Sequence, residues 1–106
     1  MALIEYTIEV TGDNSVVSPA VGVTLHEGDK VTFKSNNAEN VIRYPRTSPF
    51  SDLPEKENLP VGRTRKGPFT IMNKPTPGKY HFDCGHIVGG KFKKWGGGGG
   101  NTPVNP

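Results

Sequence analysis

Cys84, the single cysteine, lies in the stretch YHFDCGHIVGGKFKKWGGGGG (80–100), which also holds two of the three histidines, His81 and His86, and the single tryptophan, Trp95. Sulfur, imidazole and glycine at this spacing invite three chemistries. Residues 85–91 match the phosphate-loop spacing G-x-x-x-x-G-K. Phe92 stands where a magnesium-holding hydroxyl belongs, and KKWGGGGG cannot build the helix whose N-terminal amides bind phosphate, so the glycines read as a tight turn. Structural zinc takes four ligands, usually in two paired clusters, whereas His81, Cys84 and His86 make one cluster. For thiol catalysis, Cys84 and His86 form an i, i+2 pair with no third group to orient the imidazole. With Tyr80 and Phe82 on its face of a strand, Cys84 reads as a small buried hydrophobe.

The elements that must position these residues are short strands. In residues 3–10, Ile4, Tyr6, Ile8 and Val10 share one parity and Glu5, Thr7 and Glu9 the other, the period-2 pattern of a half-buried strand. TGDNS follows as a turn cluster. Residues 20–25 and 30–35 read as a hairpin joined by HEGD, with Val31 and Phe33 on one face, and His26 as a solvated turn residue. ENVIRYP is a short strand stopped by Pro45. Residues 45–62 read as a long surface excursion with a helical turn over 52–58. GPFTIM is a strand with Pro68 at its start or on an edge. YHFDC sets Tyr80, Phe82 and Cys84 opposite His81 and Asp83, and KFKKW is a final short strand. Residues 96–106 form a glycine-rich tail, expected to be disordered unless a neighbour holds it. About seven short strands with turns every 8–12 residues and no long helix predict one all-β domain over residues 1–95, a β-sandwich.

Length and composition bound the function. A chain of 106 residues makes one domain with a modest core, and 32% hydrophobic residues with 14 Gly and 10 Pro suit strands and turns. No window approaches the apolar length of a membrane span, and the alternating MALIEYTIEV is no signal-peptide block. Met1 is then either a native start or the residue left by a removed leader. One cysteine forbids an internal disulfide and leaves the compartment open. Residues 1–40 carry two lysines against six carboxylates, a balance of −4, and residues 41–106 carry 11 Lys and Arg against four, a balance of +7. The basic residues are scattered with few aromatics between them, which argues against nucleic acid and for a solvated surface or a contact with a protein partner.

Three segments carry a resemblance to a known family. HEGDKVTFKSNN resembles the cupredoxin turn and strand that end at an Asn, ENVIRY resembles the place where the first copper-ligand histidine precedes Asn-Val, and PTPGKYHFDCGH resembles the approach to the Cys–His copper loop. The resemblance implies a Greek-key β-sandwich of two sheets. A blue-copper site wants two imidazoles, a thiolate and a weak axial thioether. Carried over residue by residue, Glu39 stands where the family has its first histidine, Cys84 matches the thiolate, and His86 matches the second histidine with one intervening residue where the family usually has two or more. No methionine follows, Met72 comes too early, and Lys91 occupies the axial region. The resemblance therefore implies a non-catalytic structural or binding module without its copper, engaged with a protein partner or neighbouring copies in a larger assembly such as a capsid or virion. The competing expectation is a small copper-binding electron-transfer protein using Glu39, Cys84 and His86, with His26 or His81 recruited.

Overall fold

The computed structural model describes residues 2–18, 23–97 and 99–105. Its strands in chain order are β1 (Leu3–Thr11), β2 (Asn14–Ser18), β3 (Lys30–Ser35), β4 (Val41–Arg43), β5 (Leu59–Pro60), β6 (Arg65–Thr70), β7 (Gly78–Val88), β8 (Lys91–Lys94) and β9 (Gly100–Val104). Among the described residues there is no helix. One sheet runs β2-β1-β3-β6, and the other runs β5-β4-β7-β8 with β9 also paired to β7.

Alternation decides which faces meet. Tyr6, Ile8 and Val10 of β1, Val31 and Phe33 of β3, Ile42 of β4, and Phe82 and Cys84 of β7 all enter one buried cluster. Its centre is aromatic: Phe33 packs against Tyr6 and Phe82 at centroid distances of 5.8 and 5.6 Å, and Tyr44 meets Phe82 at 5.4 Å. Offset and edge-on rings of this kind add to the gain from burial alone. Each such buried side chain contributes roughly 1.5–3 kcal/mol relative to exposure. The parity expected for β1, β3 and β7 holds, and Pro68 lies on edge strand β6, where a missing N–H costs no ladder bond.

Four local expectations are extended or corrected. The segment TGDNS holds the expected turn and also begins an unexpected strand. Gly12, at φ 60°, and Asp13 reverse the chain so that Thr11 faces Asn14 and β2 pairs with β1. The hairpin expected from 20–25 and 30–35 does not form on its described part, and residues 20–22 lie outside the described residues. Instead the carboxylate of buried Asp29 accepts the N–H groups of Ala2 (2.7 Å) and His26 (2.9 Å), which turns β3 into parallel register with β1. Leu25 is thereby freed to bridge Val104. Residues 45–62 run mostly over the surface, as expected, but are pinned to the core by buried Phe50, Leu53 and Val61 and by the Phe50–Ile71 bridge, and 52–58 hold no helical turn.

The fourth correction concerns the tail. Gly100–Val104 is a strand of the same domain, so the expected boundary after residue 95 does not separate it from the sandwich. β8 and β9 lie along one edge of β7 as a single antiparallel partner broken by a wide bulge. Gly85 faces Lys94 and Phe82 faces Gly100, so two residues of β7 separate pairings that are six residues apart on the partner. At Gly97 and Gly99 nothing larger fits. A Cβ on Gly99 would overlap the Phe82 carbonyl oxygen, and Gly97 sits at φ 82° against the Ser15 carbonyl. Gly96 also exchanges backbone hydrogen bonds with the β1–β2 turn, to Asp13 O and from Ser15 N, so the bulge ties the second sheet to the first.

Candidate functional site

The residues singled out for chemistry gather where the second sheet meets the glycine bulge. β4 and β7 are antiparallel, with Val41 opposite Gly85 and Ile42 opposite Cys84. That register carries Glu39, two residues before β4, to the neighbourhood of His86, two residues after Cys84. His86 Nδ1 lies 3.8 Å from Glu39 Oε2. The imidazole also stacks on Trp95, with ring centroids 3.8 Å apart and an interplanar angle of 19°. Trp95 is held in turn by its Nε1, which donates to Asn40 Oδ1 at 3.2 Å, and by its backbone N–H, which donates to the Cys84 carbonyl at 2.9 Å. Asn40 itself is buried and its Nδ2 has no hydrogen-bond partner among the described residues.

Cys84 belongs to a different environment. It is 0% exposed and part of the aromatic and aliphatic core. Burial pushes its thiol up to about 12, with the Asp83 charge adding to the rise. A metal or an electrophile takes the thiolate, so at neutral pH this sulfur is a neutral core atom. Two of the three residues that the resemblance gathers, Glu39 and His86, are therefore adjacent, and the third sits beside them in register with its thiol in the core. Among the described residues, no group of three or more His, Cys, Asp and Glu side chains is placed to hold a metal ion. A copper ion needs three or four donors, and these side chains do not fit it.

The other histidines are engaged elsewhere. His26 Nδ1 lies 2.7 Å from the Asn105 carbonyl, so it fastens the end of β9. His81 Nε2 lies 2.7 Å from Asp83 Oδ1, on the outer face of β7, opposite in parity to Cys84 as expected. Glu39 stands near the His86 imidazole, but the Cys84 thiol is buried in the core and raised to about 12, and the phosphate-loop spacing at 85–91 is the end of β7 and the Gly89–Gly90 turn into β8.

No family model, no curated protein and no solved structure matches this chain.

What the sequence reading missed lies on the outer face of the second sheet. Asp83 is buried there beside His81, with Lys94 Nζ at 3.9 Å and Arg43 opposite it in register. Arg43, Lys94 and Asp83 come from three strands, and no spacing rule along the chain joins them. The excess of cations after residue 40 was the one available signal.

Proposed function

We propose that the chain is a cupredoxin-like, Greek-key β-sandwich acting as a non-catalytic binding module without a blue-copper centre. Support for the fold comes from strands distant in sequence lying side by side, β1 with β3, β3 with β6 and β4 with β7, so that the chain crosses repeatedly between the two sheets as a Greek key requires. Support also comes from positions 39, 84 and 86 drawing together at one end, as the resemblance implies. The observation that carries the reading is the Cys84 thiol, sealed in the core with no trio of donor side chains around it among the described residues. Participation in a larger assembly such as a capsid draws no support from the ordered tail, because β9 is accounted for by β7 of the same chain.

The competing reading, a copper protein with a carboxylate ligand, is favoured by the approach of Glu39 to His86. Titrating the purified protein with Cu(II) separates the two. The binding-module reading expects no intense visible thiolate-to-copper absorption and no change on Cys84→Ser. A strong band that disappears in Cys84→Ser would overturn it.

A further inference from the structure

Two adjoining cavities lie along the face that carries Asp83. The larger, of about 620 Å³, is lined by Arg46, Lys79, Lys94, His81 and Asp83, three fixed cations against one carboxylate. Asp83 is already engaged by His81 at 2.7 Å and faced by Lys94 at 3.9 Å. Arg46 and Lys79 have no ion-pair partner among the described residues. Arg43, in register with Asp83, adds a further cation whose buried Nε lacks a hydrogen-bond partner among the described residues. The potential in this compartment is thus positive after internal pairing is counted, and a concave wall focuses it.

The second cavity, of about 440 Å³, shares Thr47, Lys79 and Tyr80 with the first and continues past Met72 and Pro77. Tyr80 is fixed as the partition, its hydroxyl donating to the Thr76 carbonyl at 2.6 Å. The carboxylate here is Glu55, which disfavours a second anionic group at this end. A pocket with apolar walls and a few convergent charged groups is what a small-molecule site requires.

We propose that this pair of cavities binds a small amphiphilic organic anion, with its acidic group among Arg46, Lys79 and Lys94 and its apolar body between Tyr80, Met72 and Pro77. The proposal rests on the binding-module reading and gives it a ligand class. The probe is an anilinonaphthalene sulfonate, with the uncharged N-phenyl-naphthylamine as its control. The sulfonate binds saturably at one site, and amide shifts fall on residues 46, 47, 79–81 and 101. The double variant Arg46→Gln, Lys79→Gln weakens the sulfonate about tenfold or more, and the uncharged control by less than about twofold, as loss of charge pairing without loss of apolar contact predicts. Both positions are exposed, so an unchanged melting temperature accompanies the loss. No saturable binding, equal loss for both probes, or shifts centred on the 87–92 hairpin would overturn the proposal. The Cu(II) titration reads the binding-module assignment separately. A thiolate band there overturns that assignment whatever the dye does, and a failed dye experiment with a silent titration overturns the ligand class alone.

Discussion

Cys84 shows how one residue type can carry opposite chemistries depending on where a strand points it. Two positions after the buried Phe82 and two before the Trp95-stacked His86, it falls on the inner face, and desolvation there raises its thiol to about 12. The folded protein is therefore expected to resist iodoacetamide at mildly alkaline pH, and the same protein in denaturant to take up one equivalent, both read by intact mass. Rapid native labelling at a rate near that of the unfolded chain would show a sulfur open to solvent. The inward parity of Cys84 was legible from YHFDC, because period 2 is a property of any strand. The cation arrangement around Asp83 was not, since Arg43, Arg46, Lys79 and Lys94 are neighbours only after β4, β7 and β8 have paired.

Strand pairing is where backbone geometry outweighed side-chain pattern. β1 and β3 announce themselves by alternation, whereas β9 contains Gly100 and Pro103 and follows a run that offers no side chains to read. Its place is set by its partners: Thr102 is buried with its Oγ1 2.8 Å from the Tyr44 hydroxyl, and Val104 is buried beside Leu25. Gly97 and Gly99 before it are required by the absence of space, which cannot be seen in a chain read alone. Gly99→Ala is accordingly expected to destabilise the protein by about 1–3 kcal/mol, the usual cost of forcing an extra carbon into a packed position. Chemical denaturation measures it. A variant as stable as the parent would mean that the bulge opens freely and that β9 is dispensable. The anchors of the loop at 45–62 escaped sequence reading for a related reason: Phe50, Leu53 and Val61 are buried without any period, held one at a time by the Ile71 bridge and by the Val61 N–H donating to the Asn40 carbonyl at 2.9 Å.

The molecule as a whole is fastened at both ends of the chain. Asp29 takes hydrogen bonds from the Ala2 and His26 amides, and these hold its carboxyl below the usual carboxylate range. Because the folded-state pKa lies below the unfolded one, this group stabilises the fold above the unfolded pKa, and the contribution fades as pH falls through the folded value. Asp29→Asn should lower stability near neutrality and flatten the acid limb of a stability-against-pH curve, since the asparagine cannot gain a proton. An acid limb as steep in the variant as in the parent would remove Asp29 from that role. At the other end, His26 and Leu25 both hold the segment after Pro103, so the turn before β3 contacts the first residues of β1 and the last of β9.

That double fastening has a consequence for folding. β7 carries Phe82 and Cys84 toward the core, and residues 100–104 cover part of its edge only once they have paired with it. Until they do, the unsatisfied edge and the aromatic cluster behind it are open to other copies of the same chain, so the closing of β9 onto β7 is the step that guards against self-association.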